Sequence, residues 1–204
     1  PHPPFPDRTG VTCWAIVPVK APGEGKQRLS GALDPGQRDM IVRAMLARVV
    51  DAIQSAKGID RLVLVGPSRL GADPTIPLLA EPGGGLNPAV CAGFSHAAAH
   101  GASRVIVLHA DLPDLTAQDC EALASPPAGA IAIAPDRHGT GTNGLSLPLP
   151  AATGFQFGFG SDSLARHRAE TARLGLPVVE INRPGLARDI DEPDDLEGLR
   201  GLTG

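Results

Sequence analysis

Three short stretches place charged residues and glycines where chemistry on an anion could be done. The first is Val17-Pro18-Val19-Lys20, followed by Gly23, Gly25, Lys26 and Arg28. A glycine-containing loop offers backbone N–H groups, and Lys20, Lys26 and Arg28 lie close together in sequence; a polyphosphate needs both. The alternative reading is a solvated loop with ordinary surface cations. The stretch is not a P-loop, because Gly25-Lys26 is followed by Gln27 rather than Ser or Thr. The second stretch is His109-Ala110-Asp111-Leu112-Pro113-Asp114. Asp111 comes directly off an apolar run, where a carboxylate can hold a hard divalent cation through oxygen. Asp114, two residues before Thr116, reads as a turn or cap residue. The third stretch is Arg188-Asp189-Ile190-Asp191-Glu192-Pro193-Asp194-Asp195. Asp189 and Asp191 are two apart, so an extended segment turns both to one side. Together with Asp111 they could chelate Mg²⁺ and leave positions open for phosphate oxygens; helix-start acids are the competing reading. Asp194 and Asp195, next to Pro193, fit that second description.

Two further stretches could receive an anionic ligand. Asp136-Arg137-His138-Gly139-Thr140-Gly141-Thr142-Asn143-Gly144 offers small residues with hydroxyl and amide groups. Phe157-Gly158-Phe159-Gly160-Ser161 leads into a helix-like pattern whose free N–H groups suit phosphate or carboxylate; capping of that helix by Ser161 is compatible with the same role. Other patterns lead nowhere. His96 and His100 are one helical turn apart, but no Glu stands between them in the H-E-x-x-H manner and no third zinc ligand is evident. Gly160-Ser161-Asp162 is not a G-x-S-x-G nucleophile elbow. No His or Cys stands out as a catalytic group.

The elements that would have to position these residues alternate between strand and helix. Strands are expected at Cys13–Val19, Arg61–Val65, Ile76–Ala80, Arg104–His109, Ala130–Ala134, Gly144–Leu149 and Pro177–Ile181, and helices at Gln37–Lys57, Pro88–His100, Thr116–Ala124, Ser161–Leu174 and Pro193–Leu199. That alternation predicts a three-layer α/β/α fold with a mostly parallel twisted sheet. Ligands of such sheets bind beyond the carboxyl ends of the strands, where the strand order reverses. All the stretches named above, apart from the Phe157–Ser161 run, follow predicted strands.

Composition agrees with one folded domain of ordinary size. The chain has 204 residues, 42% hydrophobic and 20% charged, and no apolar run long enough for a membrane helix. Gly 25 and Pro 21 mean many loops. A formal charge of −4 argues against nucleic acid or a membrane surface as partner. Cys13, Cys91 and Cys120 are far apart and fit neither a disulfide framework nor a metal site, consistent with a reducing, cytoplasmic setting. Residues 1–10, which lack the apolar core of a secretory signal, are expected to be a mobile extension ahead of one domain over 11–204.

Taken in order, the segments VPVK with KQRL, RDMIVRAML, GGGLNPAV, LHADLP, APDRHGTGTN, FGFGS and RDIDEPDDL resemble the 2-phospho-L-lactate guanylyltransferase family, a branch of the MobA-like nucleotidyltransferases acting in coenzyme F-420 biosynthesis. Each motif alone is short; their series spans residues 13–200. The resemblance implies a MobA-like, GT-A-like fold with a Rossmann-like nucleotide-binding half. It also implies transfer of GMP from GTP to 2-phospho-L-lactate, phosphoenolpyruvate or 3-phospho-D-glycerate, with pyrophosphate as leaving group. Asp111, Asp189 and Asp191 match the Mg²⁺ carboxylates, two ions per site. Lys20, Lys26 and Arg28, with Val17 and Pro18, match the GTP phosphate loop; Lys20, Lys26, Arg28 and Asp111 are thereby the implied catalytic set. Gly85, Leu86 and Asn87 fall near ribose and base. Thr142 or Asn143, with Gly158 and Ser161, match the pocket for the acid. The loop Ala21-Pro22-Gly23-Glu24-Gly25 departs from the family by its extra glycine and acid. A molybdenum-cofactor or sugar-phosphate nucleotidyltransferase, or a non-catalytic nucleotide-binding domain, is the alternative. Against the first stands the absence of a Gly-Gly opening loop; against the last stand the three acids. Monomer or homodimer is left open.

Overall fold

The computed structural model describes residues 12–196. The expected extension over residues 1–10 lies outside the described residues. In chain order the elements are β1 Cys13–Pro18, α1 Pro35–Ser55, β2 Arg61–Val65, β3 Leu78–Leu79, α2 Leu86–Ala99, β4 Arg104–Leu108, α3 Ala117–Ala124, β5 Ile131–Pro135, β6 Thr142–Pro148, α4 Ser163–Leu174, β7 Val178–Glu180 and α5 Pro184–Ala187. Short 3₁₀ turns cover Gln27–Gly31 and Pro193–Leu196.

The strands form one seven-stranded sheet in the order β3-β2-β1-β4-β6-β5-β7. β1 pairs in parallel with β2 and β4, β2 with β3, and β5 with β7. β6 runs the other way between β4 and β5. The order therefore reverses at β1 and β4, which places a ligand crevice beyond their carboxyl ends. The antiparallel β6 begins at that same rim, with Gly144 opposite Leu108.

Alternation along the strands feeds two cores. Ala15, Val17, Leu64, Ile106 and Leu108 face α1 and α3, whereas Trp14, Ile16, Val65, Val105 and Val107 face α2 and the start of α4. The sheet is thus covered on both sides, as the near-continuous apolar strands require. A third, small cluster joins Leu29, Ile41, Met45 and Ile190 beneath the loops at the rim.

Several boundaries differ from the sequence reading for local reasons. α1 starts at Pro35 rather than Gln37. Asp34 accepts from the Gln37 N–H at 2.8 Å, and the Gln37 side chain accepts from the Asp34 N–H at 3.0 Å, a capping box with Pro35 in the first turn. α2 starts at Leu86, because Gly83, Gly84 and Gly85 all have φ near +90° and cannot extend a right-handed helix. The expected strand 76–80 shrinks to two residues. α4 begins at Ser163, not Ser161, since Asp162 adopts a left-handed conformation and makes no side-chain cap. The expected last helix is a single 3₁₀ turn over Pro193–Leu196, and residues 197–199 lie outside the described residues. α5 was not anticipated.

Candidate active site

The rim beyond β1 and β4 gathers most of the residues singled out by their chemistry. Lys26 stands at its centre. Its ammonium makes an ion pair with Asp111 and a second, at 2.9 Å, with Asp191. The side chain of Lys26 is only 8% exposed, so its positive charge is held inside the protein by two carboxylates from distant parts of the chain. Burial works against that ammonium, but the charges of Asp111 and Asp191 outweigh it and raise the Lys26 pKa. Burial would likewise raise Asp111, yet Lys26, His109 and Lys20 hold its carboxyl below the usual range. Asp189 moves the opposite way: burial, then the neighbouring charges of Asp111 and Asp191, push its pKa up.

Each acid is aimed by its own element. Asp111 follows β4 by three residues. Asp189 and Asp191 flank Ile190, which is fully buried against Leu29, Ile41 and Met45. The inward isoleucine thus turns both neighbours toward the rim, as a two-residue period requires. Asp195, 4% exposed, secures the same segment: its carboxylate accepts the backbone N–H groups of Asp191 at 2.7 Å and Glu192 at 2.8 Å and pairs with Arg137. Arg188 pairs with Asp114 at 3.0 Å. The sequence reading took Asp195 for a helix-start acid; it does open the 3₁₀ turn, and it also caps backward onto the Asp191 segment.

The donor chemistry at this point suits a hard cation. Asp111 Oδ1 is buried with no hydrogen-bond partner, and Asp111 and Asp191 converge on one positive charge. That charge is the Lys26 ammonium, and among the described residues no three metal-ligating side chains already form a cation site.

Beside this cluster, a cleft of about 560 Å³ is lined by Gly66, Pro67, Leu78, Ala80, Glu81 and Gly83, at the ends of β2 and β3. A Cβ on Gly66 would come within 2.1 Å of the Val19 carbonyl oxygen, so only glycine lets the two strand ends approach there. Gly85 precedes α2 and gives it no side-chain cap, leaving the first N–H groups of the helix to other partners. Lys20 and Arg28 are exposed at the same rim. The Asn87 side chain, in contrast, is engaged by the protein. It donates to the Phe159 carbonyl at 3.1 Å and accepts from the Phe159 N–H at 2.8 Å, tying the glycine loop to the segment before α4.

Across the crevice, that segment and the start of β6 are organised by His167, a residue the sequence reading did not single out. The buried imidazole accepts from the Gly158 N–H through Nε2 at 3.1 Å, and its Nδ1 lies 3.0 Å from the Thr142 hydroxyl. Phe155 and Phe159 pack against the ring. Burial, reinforced by His109 and Arg166, lowers its pKa to about 4, so the ring is neutral. Thr142 and Asn143 are each 2% exposed. The Asn143 amide donates to the carbonyls of Leu186 and Ala187 at 3.0 and 3.3 Å. Ser161 is exposed and caps nothing. The only sequence signal for His167 is a polar residue on the buried face of a helix, which propensity and periodicity do not distinguish from a surface position.

Comparison with known proteins agrees with this architecture. Residues 13–200 match the family described as "Guanylyl transferase CofC like". The chain is 40% identical over 200 residues to a phosphoenolpyruvate guanylyltransferase of Sphaerobacter thermophilus, covering 94% of each. It is 40% identical over 201 residues to one of Conexibacter woesei, covering 94% of this chain and 89% of the relative. Among solved structures, a nucleotidyl transferase from Methanothermobacter superposes with a TM-score of 0.68 at 17% identity, over 94% of this chain and 97% of that one. A 4-diphosphocytidyl-2C-methyl-D-erythritol synthase superposes with a TM-score of 0.65 at 14% identity, over 97% and 100%; both show the shared fold. With the match running through the described strands, loops and acids alike, the chain belongs to the CofC-like guanylyl transferase family.

Proposed function

We propose that the protein transfers GMP from GTP to phosphoenolpyruvate, releasing pyrophosphate, as a step toward coenzyme F-420. The observation that carries this reading is the convergence of Lys26, Asp111 and Asp191 between a nucleotide cleft and the His167-ordered pocket. The names of the relatives favour phosphoenolpyruvate over 2-phospho-L-lactate and 3-phospho-D-glycerate.

In this reading a phosphate oxygen of the acid attacks the α-phosphorus of GTP. The new P–O bond forms as the bond to the β-phosphate bridge breaks, and pyrophosphate carries the electron pair away. A phosphate monoester dianion is already a nucleophile, so no general base is required, and the work of the protein is alignment and charge neutralisation. Lys20 and Arg28, with the free N–H groups at the start of α2, grip the triphosphate. Lys26, released from its carboxylates, follows the negative charge that develops toward the leaving group. Gly158, Thr142 and Ser161 shape the pocket for the acid, the first two through His167. Asp111, Asp189 and Asp191 would hold Mg²⁺, which when bound offsets the Coulomb cost of bringing two anions together.

The test is a one-pot competition of the three phospho-acids with GTP, read by the mass of the guanylated product alongside pyrophosphate release. Guanylated phosphoenolpyruvate should dominate. Asp111→Asn or Asp189→Asn should lower turnover at least ~100-fold, the size of a lost transition-state electrostatic contact. Failure of all three acids to release pyrophosphate from GTP defeats the proposal, and near wild-type rates in both variants at limiting Mg²⁺ defeat the metal assignment.

A further inference from the structure

His109 takes no part in the reading above, yet its surroundings are those of a ligand contact. It is the first residue beyond β4, and its backbone N–H donates to the Asn143 carbonyl at 3.2 Å, which fixes it against the start of β6. Its ring lies 5.1 Å from that of Phe159. Its Nε2 is buried and has no hydrogen-bond partner. A buried polar atom left unpaired is costly enough that native proteins rarely keep one without a purpose. Among the described residues the other such side-chain atoms are Asp111 Oδ1, two residues away at the same rim, and Trp14 Nε1, on the core face toward α2. Two orphaned polar atoms on residues two apart, just beyond β4, mark a place that a bound molecule completes.

Position selects which molecule. On one side His109 feels the charges of Asp111, Asp189, Asp191 and Lys26. On the other it touches Phe159 and lies close enough to His167 for the two rings to interact electrostatically. It therefore stands between the acidic cluster and the Gly158–Thr142 pocket, on the β4–β6 side of the crevice and away from the cleft at β2 and β3. We propose that His109 Nε2 donates a hydrogen bond to an anionic oxygen of the acceptor acid, making it a substrate-contacting residue at the junction of the two half-sites. An imidazole N–H at Nε2 is a directional hydrogen-bond donor. It can orient an oxyanion without competing with Lys26 for the triphosphate. The inference rests on the acceptor pocket proposed above.

Two variants test it. His109→Asn keeps a polar side chain but is too short to reach the Nε2 position, whereas His109→Gln carries an amide N–H close to it. With pyrophosphate release as readout, H109N should raise KM for phosphoenolpyruvate about 10- to 100-fold, the range for losing a hydrogen bond to a charged group. KM for GTP should stay within about twofold, and H109Q should recover most of the loss. A rise in both KM values together, or an unchanged acid KM in H109N, overturns the inference. Calorimetric titration of phosphoenolpyruvate onto wild type and H109N, in the presence of a non-hydrolysable GTP analogue, separates the two proposals. If wild type binds the acid but turns nothing over, the reaction fails and the ratio of the two affinities still decides His109. If wild type binds no acid, both fall.

Discussion

A lysine held between two carboxylates at the mouth of a crevice is both a tether and a counter-charge. Lys26 fastens the loop after β1 to the end of β4 and to the Asp189–Asp191 segment, 85 and 165 residues further along the chain. Its backbone is left-handed, φ 56°, a conformation that a non-glycine residue adopts only when its surroundings enforce it. His167 ties together its own side of the crevice in the same way, and its effect is measurable through pH. Its pKa falls from the ordinary 6.5 of an exposed histidine to about 4 because burial disfavours the imidazolium. The unfolded chain therefore binds this proton more readily, and the contribution is complete above pH 6.5 and lost progressively as pH falls toward 4. The loss should amount to roughly 2–4 kcal/mol. Urea midpoints at pH 7.5, 6, 5 and 4.5 should show a steeper acid decline for wild type than for His167→Gln; parallel declines would mean that the ring is protonated in the folded state. From sequence, Asp111, Asp189 and Asp191 were legible because carboxylates after strands and at two-residue spacing have a direct geometric meaning. His109 and His167 were not, since the worth of a histidine depends on whether the fold leaves one of its nitrogens unpaired.

At the scale of elements, the segment 188–196 shows how a short irregular stretch is made rigid enough to aim side chains. Ile190 anchors it below, Arg188 holds Asp114, and Asp195 takes two backbone N–H groups and Arg137. Asp195→Ala removes these last three contacts at once. Because the Asp191 and Glu192 backbones can reach water, stability should fall by only about 1–2 kcal/mol. The Mg²⁺ concentration for half-maximal rate should rise severalfold, and Asp195→Asn should lie between. An Asp195→Ala protein that loses stability but keeps its Mg²⁺ dependence would show that Asp195 supports the fold without positioning Asp191. The strands and long helices were readable from apolar runs and helical spacing; Asp34 and the three glycines before α2 set starts that hydrophobic periodicity does not register, and the short elements β3, α5 and the last 3₁₀ turn are too brief for any period to show. The reversed course of β6 was not readable, because pairing between elements is settled by packing rather than by any local signal. One trace of it exists in Gly144, where a Cβ would stand 2.9 Å from Leu123 and 3.3 Å from the Ala134 side chain.

At the scale of the molecule, the protein divides its labour across the sheet. The parallel half, β3-β2-β1-β4, carries the cleft and the cations, and the half containing β6, β5 and β7 carries the segments ordered by His167 and leads to Asp189 and Asp191. The described helices include none long and apolar enough to cross a membrane. A nucleotide that bridges the halves should stabilise the whole fold. At GTP one hundred times its Kd the gain is about 2.7 kcal/mol, which for a chain of this size is a melting-temperature rise of roughly 5–10 °C. A scanning-calorimetry shift under one degree at saturating GTP and Mg²⁺ would contradict nucleotide binding at this rim. The antiparallel course of β6 has its own consequence. It brings the beginning of a strand to a margin otherwise made of strand exits, so residues 136–141 form a hairpin tip gripped by the sheet on either side. Arg137 on that tip pairs with Asp195, its backbone N–H reaches the Ala187 carbonyl at 2.7 Å, and the Thr140 carbonyl accepts the Leu164 N–H at 3.0 Å. A single turn of chain thus couples the margin of the sheet to α4, to α5 and to the stretch that presents Asp191, so a change of length there is felt at three places at once.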